Sequence, residues 1–176
     1  MSKHQLSADL FTEADQQQLA SFSCGDTVVG RACTEWIRGS DVLDSMQRGS
    51  GVWLYRNSDD EIVGFGSLGP IRWRWPLPDG DYAKLAIIPM LGIDERFQGQ
   101  PPGKEWRYSR QIMNHLIYEA HVFSAMQKKP VEWLLLLVHP ENKPAIKLYE
   151  EFDFVMIPDV RRGAANSCVM KHRLAE

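Results

Sequence analysis

At 176 residues, with 44% hydrophobic and 24% charged residues, the chain has the size and composition of one globular domain with a buried core, 1–176. A formal net charge of −3 gives no global positive field, which excludes a protein that coats nucleic acid. No apolar run approaches the roughly 20 residues that cross a bilayer, and Met1-Ser2-Lys3-His4-Gln5 is not a signal peptide, so a cytoplasmic protein with no membrane partner is expected.

The first thirty residues are mostly polar. Residues 26–50 read as helical, with Ala32, Trp36, Ile37, Leu43 and Met46 at loosely helical spacing, ended by Gly49-Ser50-Gly51. Val52-Trp53-Leu54-Tyr55 and Ile62 to Leu68 read as a hairpin turned at Asn57-Ser58-Asp59-Asp60. Ile71-Arg72-Trp73-Arg74-Trp75 alternates before the Pro/Gly turn at 76–80. It is either a strand whose Trp face covers core or cleft, or a stacking surface for bases. A long strand over 82–93 follows, with Pro89 marking a bulge or bend.

Ile112, Met113, Leu116, Ile117, Ala120 and Phe123 then repeat as an amphipathic helix of roughly five turns. The strand 131–138 lacks alternation and reads as buried on both faces. A short helix opened by Asn142 and short strands at 154–157 and 167–171 complete an α/β domain with a mixed sheet.

Cys24, Cys33 and Cys168 form no CxxC pair and read as reduced thiols. The five His are scattered without HExxH spacing, so no metal is expected. His139, at the end of the 131–138 strand, reads as a residue bonding the following turn rather than as a catalytic base.

Two short segments carry chemistry. Arg96-Phe97-Gln98-Gly99-Gln100-Pro101-Pro102-Gly103-Lys104 lies between strand and helix. It is either a surface loop or an anion cradle, in which glycines admit a diphosphate to backbone donors and Arg96 and Lys104 add charge at the rim. In the second segment Asn142 is a helix N-cap, with Pro144 tolerated in the first turn. Leu148 is expected to face the core and Tyr149 to point elsewhere.

The order long strand, Arg-x-x-Gly turn, helix, buried strand, then Asn-x-x-Ala-x-x-Leu-Tyr-x-x-Phe-x-Phe over 142–154, resembles the GNAT family of acyl-CoA-dependent N-acetyltransferases. The resemblance covers Tyr82 to Ile157 and extends more weakly to Val52–Leu68. Phe22-Ser23-Cys24-Gly25 with Glu35-Trp36-Ile37 is similar to a branch that includes acetyltransferase toxins.

The resemblance implies a GNAT-like α/β (α+β) single domain, with a mixed, mostly antiparallel sheet flanked by helices and splayed between the strands 82–93 and 131–138. It implies acetyl-CoA as acyl donor and a primary amine as acceptor. The backbone of Leu91, Gly92 and Ile93 would pair with the pantetheine arm. Arg96, Gln98, Gly99, Gln100, Gly103 and Lys104 would hold the diphosphate, and Asn142 would contact the pantetheine. Tyr149 would protonate the departing CoA thiolate, since a phenol with a pKa of about 10 is protonated at neutral pH.

Two departures from the family pattern stand out. Pro101 occupies the final small position of a turn counted from Arg96, and neither proline can donate an N–H. Counting from Gln98 puts Gly103 in that position, and both registers stay open. The 82–93 strand also holds no carboxylate to deprotonate the amine, so the base is unassigned.

Two other classes are consistent with these residues. One is a non-catalytic or regulatory CoA-binding module on the same scaffold. The other is a toxin-like transferase acting on charged tRNA with a protein antitoxin. A homodimer is compatible with all of them.

Overall fold

A computed structural model describes residues 4–74, 82–103, 106–162 and 166–174. Lys104, Trp75 and the Pro/Gly turn at 76–80 lie outside the described residues. The chain groups into two compact units, Met1–Ser67 with Met90–Leu116, and Leu68–Pro89 with Ile117–Glu176.

In the first unit, β1 (Ser7–Leu10) pairs antiparallel with β2 (Gly51–Arg56), from Ser7↔Arg56 to Leu10↔Trp53. A 3-10 helix, Glu13–Leu19, leads to α1 (Val28–Arg38), whose Thr27 hydroxyl accepts the Gly30 N–H as N-cap. The helical stretch expected over 26–50 is two helices. Gly39 ends α1, and α2 (Asp41–Gln47) starts after Ser40. Glycine gives up more backbone freedom in a helix than other residues, and Gly39 is extended there.

β3 (Ile62–Arg74) is longer than the sequence suggested and runs through Arg72, Trp73 and Arg74. Its first residues pair with β5 (Leu91–Ile93) in the register Gly64↔Ile93, Phe65↔Gly92, Gly66↔Leu91. The core of this unit gathers Phe11, Leu19, Phe22, Ile37, Val42, Leu54 and Phe65 with both Cys24 and Cys33. Trp36 stacks on Phe65 at 5.7 Å and 16°.

In the second unit, the distal half of β3 pairs antiparallel with β4 (Tyr82–Ile88), from Gly69↔Ile87 to Arg74↔Tyr82. β4 pairs in parallel with β6 (Trp133–Val138) over Ala86–Ile88 and Leu134–Leu136. β8 (Ser167–Arg173) lies antiparallel between β6 and β7 (Val155–Arg162). The sheet is therefore mixed and mostly antiparallel, as expected of the fold. Leu85, Ile87, Leu135, Ile157 and Val169 form the buried cluster of these strands.

The long strand expected over 82–93 is broken at Pro89-Met90 into β4 and β5. From Gly66↔Leu91 to Gly69↔Ile87, β3 spans three residues and its partner four, a one-residue bulge. The parallel ladder to β6 ends at Ile88, where the bulge begins.

α3 (Tyr108–Ala125) matches the five-turn helix, with Ile112, Met113, Leu116 and Ala120 buried. β6 departs from a strand buried on both faces, because Leu137 is 38% exposed. Trp133 is half-buried, its ring carrying Lys171 Nζ at 4.4 Å and the Arg173 guanidinium at 5.8 Å. Among the described residues, no helix is long and apolar enough to cross a membrane.

Candidate active site

In the first unit, one buried carboxylate organises the entry to the turn that follows β5. Asp94 is 1% exposed and caps the 3-10 helix Glu95–Phe97. Its Oδ1 accepts the Arg96 backbone N–H at 3.0 Å and Arg96 Nε at 2.9 Å. Its Oδ2 accepts Arg96 Nη2 at 3.2 Å and the Ser23 N–H at 3.4 Å. Glu95 N–H donates to the Ser23 carbonyl at 2.7 Å, so the loop at 23–25 and the turn are laced together. The sequence reading passed over Asp94. Its available signal was an Asp directly before the turn, an N-cap residue type in an N-cap place.

Arg96, expected at the diphosphate rim, folds back on Asp94 and also faces Glu61 at 3.8 Å while remaining 53% exposed. The hydrogen bond it donates to Asp94 raises its already high pKa. Gln98 is exposed, yet its Nε2 bonds back to the chain, donating to the Cys24 carbonyl at 3.0 Å and the Ile93 carbonyl at 3.1 Å. Gln98 thus ties the turn to the 23–25 loop.

Gly99 and Gly103 adopt φ of +76° and +106°, the left-handed region where a side chain is strained. A Cβ built at either would meet nothing within 4 Å, so both face open space. The Gln100 N–H closes a turn onto the Phe97 carbonyl at 3.0 Å, and the Gln100 carbonyl accepts from Tyr108 N–H at 2.9 Å. That second bond fixes the exit of the turn to the start of α3. Among the described residues, no group of three or more His, Cys, Asp or Glu is placed to hold a metal ion.

In the second unit, β6 ends at Val138 and the chain turns over His139-Pro140. The Asn142 N–H donates to the His139 carbonyl at 2.9 Å and the Glu141 N–H to His139 Nδ1 at 3.3 Å. His139 holds its turn, as the sequence suggested. Asn142 caps α4 (Lys143–Glu150), its Oδ1 accepting from Ala145 N–H at 3.3 Å. The cap occupies the oxygen, and Nδ2 keeps both donors.

Tyr149 does not point away from the core. It is 9% exposed and buries the same face as Ile146, three residues earlier, whereas Leu148 is half-buried. The Tyr149 ring lies 6.1 Å from Phe154, and its carbonyl accepts the N–H groups of Phe152 at 2.9 Å and Phe154 at 3.1 Å. Asp153, at φ +59°, lets the chain double back so that Phe154 reaches that ring. Phe154 also contacts His172 at 5.1 Å. His172 Nδ1 donates to the Phe152 carbonyl at 2.9 Å, and burial pulls its pKa below the usual value.

A sequence model of the acetyltransferase (GNAT) family matches residues 16–154. No curated protein matches the chain in sequence. Among solved structures, one similar to it is a Tyr-to-Phe mutant of KacT, at TM-score 0.71 and 15% identity, covering 97% of this chain and 95% of that one. Another is a Tyr-to-Phe mutant of the AtaT toxin bound to the C-terminus of the antitoxin AtaR and acetyl-CoA, at 0.67 and 16%, covering 96% and 93%. A third is AtaT complexed with acetyl-methionyl-tRNAfMet, at 0.66 and 16%, covering 96% and 95%. At these identities the likeness is one of fold.

Proposed function

The chain belongs to the acetyltransferase (GNAT) family and is an acyltransferase, and from that premise we propose that it transfers an acetyl group from acetyl-CoA to a primary amine by direct attack, with Tyr149 as general acid. β5 offers the backbone of Leu91, Gly92 and Ile93 to the pantetheine amides. The turn offers the diphosphate its backbone at Gly99, Gln100 and Gly103, in the register counted from Gln98. The left-handed glycines and the open space before them support that register. Arg96 and Lys104 contribute charge, and Asn142 contributes its free Nδ2 donors to the pantetheine region. Holding amine and thioester together supplies most of the rate, backbone donors polarise the carbonyl, and the phenol of Tyr149 hands its proton to the departing sulfur.

The observation that carries this reading is the Asn142-capped helix with Tyr149 held inward by Phe154, inside the stretch matched by the family. An acetyl-CoA turnover screen over polyamines, aminoglycosides, amino acids, peptides and aminoacyl-tRNA tests it. Transfer to one amine class, abolished in Tyr149→Phe, is the expected result. Bound acetyl-CoA with no transfer to any amine would refute the catalytic reading.

A second reading is favoured by the solved structures of similar fold, which include toxins bound to an antitoxin and one with a charged, acetylated tRNA. In it the amine is the α-amino group of an aminoacyl-tRNA, and a protein antitoxin holds the enzyme in check. Growth arrest on expression, relieved by Tyr149→Phe, is its signature. Healthy growth with abundant active protein rules it out.

A further inference from the structure

Cys24 and Cys33 are buried in the first unit, 8% and 7% exposed, and both are free thiols. The proposed chemistry uses neither. The loop carrying Cys24 lies hard against α1. Cys24 N–H donates to Thr34 Oγ1 at 2.9 Å, and a Cβ on Gly30 would fall 2.4 Å from the Gly25 carbonyl oxygen. The two sulfurs converge on adjacent residues of β5. Cys33 Sγ lies 3.6 Å from the Leu91 carbonyl oxygen, and Cys24 Sγ lies 2.6 Å from where a Gly92 Cβ would stand.

We propose that Cys24 and Cys33 are a redox-active dithiol, a modification site at which a peroxide closes a disulfide behind β5. Both sulfurs pack against the same short stretch of β5, and their mutual influence lowers the pKa of Cys33 while raising that of Cys24. Cys33 is therefore the nucleophile. Its thiolate attacks a peroxide oxygen, the O–O bond breaks, and Cys33 becomes a sulfenic acid as hydroxide leaves. The Cys24 sulfur then attacks the Cys33 sulfur, the S–OH bond breaks, and water leaves. Overall two thiols and one hydrogen peroxide give one disulfide and two waters.

A disulfide holds its sulfurs about 2.05 Å apart, far inside non-bonded contact. The 23–25 loop and α1 must therefore draw together, and Leu91 and Gly92 rest on both sulfurs. The functional effect rests on the reading of β5 as the pantetheine strand: oxidation weakens acetyl-CoA binding.

The test treats the reduced protein with hydrogen peroxide, alkylates it in denaturant, and maps the peptides. A Cys24–Cys33 cross-link, reversed by dithiothreitol, with Cys168 alone alkylated, is the expected product. An unchanged protein, a stable sulfinic acid on Cys33, or a link to Cys168 would overturn the proposal. Calorimetry with acetyl-CoA should then show roughly tenfold weaker binding after oxidation, the size of one or two lost backbone hydrogen bonds. Unchanged affinity in the cross-linked protein overturns the effect on β5. Cys33→Ser must keep its affinity through peroxide treatment, and a loss in that variant equally overturns it. Failure of the reduced protein to bind acetyl-CoA would defeat the reading of β5, while the dithiol would still stand or fall on the peptide map.

Discussion

Ser67 and Met90 hold each other by three hydrogen bonds at the bulge that ends β4 and begins β5. The Ser67 N–H and Oγ both donate to the Met90 carbonyl, at 2.9 and 2.8 Å, and Oγ accepts the Met90 N–H at 3.0 Å. The serine is fully buried. A bulge leaves strand groups without ladder partners, and here the hydroxyl satisfies the Met90 N–H and adds a second donor to its carbonyl. Ser67→Ala is expected to lower stability by about 1–3 kcal/mol, measured as a shift in the urea midpoint. An unchanged midpoint would show that the hydroxyl does not pin the bulge.

Asp94 does for the turn what Ser67 does for the bulge. Asp94→Ala strands the N–H groups of Ser23 and Arg96 and releases the Arg96 guanidinium. The expected result is a loss of about 2–3 kcal/mol and a raised KM for acetyl-CoA. Asp94→Asn, which still offers an acceptor oxygen, should recover part of both. Equal kinetics in all three proteins would separate Asp94 from the turn's function.

Gly92 has no room for a side chain. A Cβ there would lie 2.6 Å from Cys24 Sγ and 2.6 Å from Phe65 Cε1, and Phe65 is fully buried. Gly92→Ala should cost about 1–3 kcal/mol by overpacking and weaken acetyl-CoA binding through displacement of β5. Thermal melts with and without acetyl-CoA measure the two effects separately.

Tyr149→Phe keeps the ring against Phe154 and removes only the hydroxyl. If the phenol protonates the CoA thiolate, kcat should fall by about 10²–10⁴, with acetyl-CoA affinity nearly intact. Wild-type turnover would remove Tyr149 from the mechanism.

His172 makes stability depend on pH. Burial, the largest influence, lowers its pKa from the ordinary 6.5, and nearby His121 acts in the same direction. The Phe152 carbonyl and Asp153 oppose the shift. The unfolded chain therefore takes up the proton first as the pH falls. The contribution of His172 to stability is fully present above pH 6.5 and is lost as the pH drops toward the folded value. Urea unfolding of wild type and His172→Asn between pH 8 and pH 5 should show the difference between them shrinking below pH 6.5. A constant difference would contradict this.

Much of the architecture was legible in the sequence. The 3.6-residue period of Ile112 to Phe123 announced α3, the apolar run at 131–138 announced β6, Pro89 marked a bulge or bend, and Asn142 before Pro144 marked the opening of α4. These signals are local: a helix needs its apolar stripe, a cap needs its oxygen, and proline withholds its N–H wherever it stands. The motif over 142–154 was legible for the same reason, and it sufficed to recognise the family.

What tertiary structure decided is where those local pieces turn. Leu148 is the more apolar residue, yet Tyr149 takes the inward place, because the rotation of an eight-residue helix is set by Ile146 beside it and by Phe154 returning over it. The bonds of Gln98 and Arg96 back onto the chain, the four donors on Asp94, and the convergence of Cys24 and Cys33 on β5 join residues that no periodicity links. By itself the sequence determined the principal helix and strands, the Asn142 cap and the family. Side-chain direction was settled by packing, because burial is shared among segments far apart in the chain and belongs to none of them alone.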